Sequence, residues 1–253
     1  MIRRTMIIIS PDYSTPDHFC RDIQSRGYAA LDTNGTSQLT GISPSELNAM
    51  KHWWDDLPAD HYLRDGGRYR RRRHSSFVVD GDQVMLVPHR AHWQPVAYNA
   101  LHGGLHRMFD PVRQELVESP AWQQLLRRLG RVCSRLGGQQ PWFVETHQFR
   151  IDTTDGIGRP TPEGAHRDGV DYVAILLVER NHVIGGESRI FEANSRTGER
   201  FTLEQDWSLL MLDDGRMIHE STPIQPTAPD GHRDTLVITW RAGGFQDAPV
   251  APA

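Results

Sequence analysis

Beyond Pro141 the sequence consists of short β-branched and aromatic runs separated by glycine, proline, asparagine and aspartate. Such runs are typical of strands joined by tight turns. The run at 172–178 is apolar at every position, as expected of a strand that is covered on both faces. We predict strands at 143–151, 170–178, 188–192, 208–212, 217–219 and 236–241. Six short strands with turns between them predict a sandwich or barrel of the jelly-roll kind.

The part of the chain before Pro141 contains more helical patterns. Ser43 and Glu46 form a capping box, and Ser119-Pro120 begins an apolar stripe that stops at Gly137-Gly138. We therefore predict a mainly β protein with flanking helices (α+β). Residues 1–245 are predicted to form one domain, in which a helix-rich part at about 1–140 packs on a β core at about 141–245. The alanine- and proline-rich segment 246–253 is predicted to be a disordered tail.

Charge and cysteine content narrow the class of function. The formal net charge is −4 over 253 residues, which argues against nucleic acid or an anionic membrane as the partner. No apolar stretch approaches the roughly 20 residues that span a bilayer. Cys20 and Cys133 show no paired spacing, which favours reduced thiols in a cytoplasmic protein. We expect a small-molecule substrate; the oligomeric state stays open, with a homodimer as one option.

A candidate metal site begins at His166-Arg167-Asp168. In an extended segment residues i and i+2 share a face, so His166 and Asp168 can point at a common centre. His219, 51 residues after Asp168, offers a second imidazole from a later strand. Two histidines and one carboxylate leave part of an ion's coordination sphere open, and non-haem iron(II) uses this set to bind a cosubstrate and dioxygen. The triplet alone is a weak signal in a chain with 13 histidines, and a solvated turn would also explain it.

A second pattern follows at Arg233-Asp234-Thr235. Arginine and threonine at i and i+2 share a strand face, and together they can bind a carboxylate by an ion pair and a hydrogen bond. Arg241, at the far end of the same predicted strand, is the alternative anchor.

The dense basic run at 64–74 leads into a predicted strand and has three interpretations. It is a solvated edge strand, a nucleic-acid patch, or a source of arginines that bind a substrate carboxylate. Because strand faces alternate, the 68/70/72 face and the 71/73 face cannot both point inward. As substrate-binding candidates we name Arg70, Arg72 and Arg73, together with Gln148 and Arg150 on a polar strand face.

Taken together, His166-Arg167-Asp168, His219 and Arg233-Asp234-Thr235 resemble the HxD…H…RxS/T pattern of iron(II)/2-oxoglutarate-dependent dioxygenases. Residues 69–77, 147–150, 164–171, 181–187 and 232–240 are further similar to the bacterial group of free amino acid hydroxylases that includes L-isoleucine 4-hydroxylase. The resemblance covers most of the chain from about residue 60 to 245 and implies a double-stranded β-helix fold.

The resemblance also implies roles for these residues. His166, Asp168 and His219 would ligate Fe(II), and Arg233 with Thr235 would hold the C5 carboxylate of 2-oxoglutarate. The implied reaction uses O2 to hydroxylate an unactivated C–H bond of a free or simply modified L-amino acid, with succinate and CO2 as coproducts. Two alternatives remain: a related oxygenase that acts on another small biosynthetic intermediate, and a cupin-like binding module without redox chemistry.

Overall fold

The computed structural model describes residues 8–248. The helices are α1 (Phe19–Arg26), α2 (Thr33–Thr40), α3 (Pro44–Ala49), α4 (Gln114–Val117) and α5 (Pro120–Gly137), with a 3-10 turn at Lys51–Trp54. The strands are β1 (Tyr28–Leu31), β2 (Arg70–Asp80), β3 (Gln83–Leu86), β4 (Trp142–Asp152), β5 (Tyr172–Asn181), β6 (Val183–Gly185), β7 (Ser188–Glu192), β8 (Gly198–Phe201), β9 (Leu209–Asp213), β10 (Met217–Ser221), β11 (Ile224–Pro226) and β12 (His232–Ala242).

The strands form one large sheet and two small ones. The seven-stranded sheet has the order β1-β9-β5-β12-β4-β2-β3, and its neighbouring strands are antiparallel. The small sheets have the orders β10-β7-β8 and β11-β6. The mainly β, jelly-roll prediction is thereby confirmed. Strands β1, β2 and β3 precede residue 140, so the helix-rich part of the chain also supplies three strands of the large sheet.

The helices cover one face of the large sheet. Helix α5 begins as predicted, because the Ser119 side chain accepts a hydrogen bond from the Trp122 N–H and Pro120 occupies the first turn. Its apolar face packs with Leu236, Ile238 and Trp240 of β12 in the main hydrophobic core. Alternate residues of β12 therefore point away from the helices and are free to line a cavity.

Residues 246 and 247, which were predicted to begin a disordered tail, contact the body of the protein. Gln246 donates hydrogen bonds to the backbone carbonyls of Asp168 and Gly169, and Arg90 contacts Asp247. Side-chain contacts thus hold the first two residues of the predicted tail against the body of the protein. Residues 249–253 lie outside the described residues, and the domain boundaries stay a prediction.

Two further observations bear on the earlier expectations. Within residues 8–248 no helix is long and apolar enough to cross a membrane. Cys20 and Cys133 are both free thiols, and Cys133 lies in the core.

Helix α5 approaches the sheet closely at Gly130, because a Cβ there would lie 2.8 Å from Val79 Cγ1. We predict that Gly130→Leu lowers the free energy of unfolding. Overpacking costs about 1–3 kcal/mol, and the gain in helix propensity is below about 1 kcal/mol. Urea denaturation measures the change. Arg131→Leu, on the exposed face of the same helix, is the control, and equal stability of the two variants would contradict the close approach.

Candidate active site

The cavity lies between the large sheet and the three-stranded sheet. From β12 it is lined by Arg233, Thr235, Val237 and Thr239, and from β4 by His147, Phe149 and Ile151. Strand β10 contributes His219 from the opposite side, and the segment before β5 contributes His166 and Asp168. On β12 the period of two places these side chains inward and Leu236, Ile238 and Trp240 in the helix-covered core.

Three of the predicted residues lie together. A backbone bridge joins the two histidines, with His166 N to His219 O at 3.1 Å and His219 N to His166 O at 2.9 Å. The Asp168 carboxylate lies 3.8 Å from His166 Nε2 and 3.7 Å from His219 Nε2. One potential ligand atom from each residue lies within 4.8 Å of the other two.

The protonation states of the imidazoles suit a metal. His166 Nδ1 donates to the Gly164 carbonyl at 2.9 Å, which leaves Nε2 as the nitrogen that can bind a metal. Burial would lower the pKa of His166, but the carboxylates of Asp168 and Glu163 raise it above its usual value. Burial, with a smaller contribution from His166, lowers the pKa of His219 to about 3. A bound cation would replace the Nε2 proton of His166, and two imidazoles with a carboxylate then fit Fe(II) with open coordination positions.

Asp214 holds the backbone that carries Asp168, a role that the sequence did not reveal. Its buried carboxylate accepts the N–H groups of Asp168, Gly169 and Val170 at 2.9, 2.7 and 3.1 Å. The Asp213-Asp214-Gly215 sequence reads as an ordinary turn, and nothing in it separates Asp214 from Asp213. Gln94 was also missed, and its amide donates to Asp168 Oδ1 at 2.9 Å.

Arg233 lies in the same cavity without a counter-ion. Only 4% of its surface is exposed, and among residues 8–248 no carboxylate forms an ion pair with it. Burial and the neighbouring Arg180 lower the pKa of Arg233 to about 9, and its Nε has no hydrogen-bond partner in the described structure. A buried guanidinium in this state fits an anionic ligand. Thr235 lines the cavity beside it, whereas Arg241 donates to the carbonyls of Gly244 and Phe245.

The substrate-binding candidates divide between the two faces of the sheet. Arg70 and Arg72 line the cavity. Arg73, Gln148 and Arg150 do not, and the structure corrects their prediction. They bind the carbonyl of Pro111, the carbonyl of Trp53 and the carboxylate of Asp234, respectively.

The two faces of β4 explain why Gln148 and Arg150 were placed wrongly. Polar residues occur on both faces of β4, so alternation alone could not tell which face lines the cavity. Gln148 and Arg150 contact Trp53 and Asp234 on the other side of the sheet, whereas His147 and Phe149 face the cavity. Glu163, His92 and Arg107 also line the cavity and were not predicted.

Jelly-roll sheets that enclose two histidines and a carboxylate next to a buried arginine are the architecture of iron(II)- and 2-oxoglutarate-dependent oxygenases. The family model described as 2OG-Fe dioxygenase matches residues 51–239, and the chain belongs to this family. It is a 2-oxoglutarate-dependent dioxygenase, with Fe(II), 2-oxoglutarate and O2 as its cofactor and cosubstrates.

Individual relatives agree with this assignment. L-isoleucine-4-hydroxylase of Bacillus thuringiensis is 23% identical over 184 residues, which cover 69% of this chain and 75% of that protein. The crystal structure of a bsmA homologue from Methylobium petroleophilum PM1 has a TM-score of 0.90 and 45% identity, and covers 97% of this chain and 100% of that chain. IDO from Bacillus thuringiensis has a TM-score of 0.73 and 17% identity, covers 92% of this chain and 100% of that chain, and shares the fold.

We predict that Asp214→Asn weakens iron binding about 10- to 100-fold, the range found when groups that orient metal ligands are lost. An amide presents only one acceptor oxygen to the three N–H groups. Chelator competition measures the iron affinity. Asp213→Asn is the control, since its carboxylate does not hold the 168–170 amides; an equal effect of both changes would remove Asp214 from this role.

Proposed function

We propose that the protein hydroxylates an unactivated C–H bond of a free or simply modified L-amino acid. The observation that supports the proposal is that three potential metal ligands share one cavity with two separate groups of buried arginines. Arg233 lies on one wall, and Arg70, Arg72 and Arg107 lie on another. Arg233 would bind the cosubstrate, which leaves the other group of arginines for an anionic group of the substrate.

In this proposal His166, Asp168 and His219 hold the iron, and Arg233 with Thr235 binds the C5 carboxylate of 2-oxoglutarate. When bound, Fe(II) with 2-oxoglutarate and O2 would supply the oxidation of the C–H bond; one oxygen atom of O2 would enter the product and the other would enter succinate as CO2 is released. The protein's residues orient both reactants and exclude water. Family membership excludes the binding module without redox chemistry.

The second group of cations has too few acidic partners. Arg70 Nε donates to Asp60 Oδ2 at 2.7 Å, and Arg72 lies 3.9 Å from the same oxygen. Burial would raise the pKa of Asp60, but these two arginines hold it below its usual value. Arg107 donates to the neutral Gln94 Oε1 at 3.0 Å and has no carboxylate partner among residues 8–248. Glu163 and Glu145 also lie near Arg107, but neither forms an ion pair with it in the described structure. Arg107 is therefore the cation on this wall that a substrate carboxylate would bind.

An activity panel tests the proposal. Purified protein with Fe(II), 2-oxoglutarate and each of the free L-amino acids is assayed for succinate and for a product heavier by one oxygen atom. The aliphatic amino acids are tested first because the relative from Bacillus thuringiensis is named for L-isoleucine. The expected result is coupled formation of both products with at least one amino acid. Succinate release that no amino acid stimulates would contradict the amino acid substrate while leaving the oxygenase class intact.

We predict that His166→Ala, Asp168→Ala and His219→Ala each lose stoichiometric iron and nearly all turnover, because a three-ligand site has no spare donor. Iron content and circular dichroism separate loss of metal from loss of fold. His232→Ala is the matched control, since His232 lies in another group of potential ligands, with Glu179 and Asp234, that does not line the cavity. Normal turnover of His219→Ala would remove that residue from the site.

We predict that Arg233→Ala raises the Michaelis constant for 2-oxoglutarate about ten- to a hundredfold. A charge-assisted hydrogen bond worth about 1.5–3 kcal/mol is lost. Initial rates at varied 2-oxoglutarate measure the change. Arg241→Ala should have little effect, because Arg241 binds backbone carbonyls outside the cavity. The reverse order of effects would assign the anchor to Arg241.

A further inference from the structure

A second cluster of ionisable groups lies beside the proposed iron site. It consists of His74, His92, Glu145 and His147, each no more than 6% exposed, and one potential ligand atom from each lies within 4.8 Å of the others. His92 and His147 line the cavity, and their rings are 4.7 Å apart. Neither histidine has a role in the activity described so far.

Glu145 determines the tautomer of His92. Its Oε2 lies 3.2 Å from His92 Nδ1, and its Oε1 lies 3.1 Å from His74 Nε2. Burial lowers the pKa of His92 to about 4, so the ring is neutral and its one proton is on Nδ1, where the carboxylate accepts it. The remaining nitrogen of His92, Nε2, therefore has a lone pair and accepts hydrogen bonds.

Arg72 determines the opposite tautomer for His147. Its guanidinium lies 2.6 Å from His147 Nδ1, and a guanidinium can only donate. His147 Nδ1 is therefore the acceptor, and burial, reinforced by Arg72, keeps the ring neutral by lowering its pKa. The proton is on Nε2, which becomes a donor. This arrangement leaves His147 without a free lone pair, so the cluster is not assigned to a metal ion.

We propose that His92 and His147 form a subsite that recognises the head group of a free α-amino acid. His92 Nε2 accepts a hydrogen bond from the ammonium group, and His147 Nε2–H donates one to the carboxylate, whose charge Arg107 offsets in the same cavity. This inference rests on the proposed function and specifies the form of its substrate: both the amino and the carboxyl group are unmodified.

Charges behind the two rings match this assignment. The Glu145 carboxylate makes the His92 ring a stronger acceptor, and the Arg72 guanidinium makes the His147 ring a stronger donor. Two adjacent imidazoles thereby present opposite polarity to the cavity, complementary to a zwitterion. The subsite is also close to the reaction centre, because Gln94, two residues after His92, donates to Asp168 Oδ1.

The experiment measures binding under anaerobic conditions to the enzyme loaded with Fe(II) and 2-oxoglutarate. One probe is the L-amino acid that most stimulates succinate formation in the panel, in which L-isoleucine is tested first. The other two probes are its N-acetyl and carboxamide derivatives. The unmodified enzyme is expected to bind the free amino acid at least about tenfold more tightly than either derivative. Equal affinity for all three forms would overturn the subsite and leave the oxygenase assignment standing.

Variants test separately the recognition of the amino group and of the carboxyl group. Glu145→Gln and His92→Phe should each reduce affinity for the free amino acid about ten- to a hundredfold and abolish its advantage over the N-acetyl form. His147→Phe should abolish the advantage over the carboxamide. General damage to the pocket would weaken all three probes alike, so the ratios separate recognition from structure. Glu118→Gln, an exposed carboxylate at the end of α4, is the control.

Two outcomes would overturn the proposal through a rival residue or ion. Glu163 also lines the cavity, and its Oε2 is buried without a partner in the described structure. If Glu163→Gln abolishes the preference over the N-acetyl form and Glu145→Gln does not, Glu163 binds the ammonium group. A second equivalent of bound metal that is lost in Glu145→Gln would assign the cluster to an ion.

Discussion

The antiparallel ladder of β12 between β4 and β5 is the constraint on which the other features depend. Strand β12 pairs with β4 along its whole length and with β5 from His232 to Trp240, so most of its backbone groups are satisfied within the sheet. Its two faces then serve different purposes. Leu236, Ile238 and Trp240 are fully buried with α5, while Arg233 and Thr235 face the cavity. A shift of one residue in register would put the arginine in the apolar core and the tryptophan in the cavity.

A cavity with this many buried cations is costly to fold unless each has a partner or a ligand. Arg72 is accommodated by the protein, because its guanidinium lies 3.7 Å from the ring centroid of Phe109 and 4.4 Å from that of Phe149. Arg70 has Asp60 as its partner. Arg233 has neither kind of partner among the described residues, which is consistent with a group whose counter-ion is a bound cosubstrate.

The sequence predicted structure correctly where a local pattern fits one kind of element. A strand apolar at every position between 172 and 178 must be covered on both faces, and β5 is. Ser119-Pro120 followed by an apolar stripe at helical spacing predicted the start of α5 correctly. The triplet His166-Arg167-Asp168 was a weak signal by itself, and it gained weight from His219 and Arg233-Asp234-Thr235 later in the chain. The structure brings potential ligand atoms of His166, Asp168 and His219 within 4.8 Å of one another. The predictions failed for Gln148 and Arg150, because the alternating pattern is compatible with either face of a strand lining the cavity.

The sequence by itself therefore determined the class of fold, the strand that carries the arginine and threonine, and the three residues that the structure brings within reach of one ion. Only the tertiary structure decided which face of β2 and β4 lines the cavity, since that depends on where the helices cover the sheet. It alone revealed Asp214 and Glu145 as groups that set the position or tautomer of others. Both act through contacts between segments far apart in sequence, such as Asp214 with the 168–170 amides, and such contacts leave no local pattern along the chain.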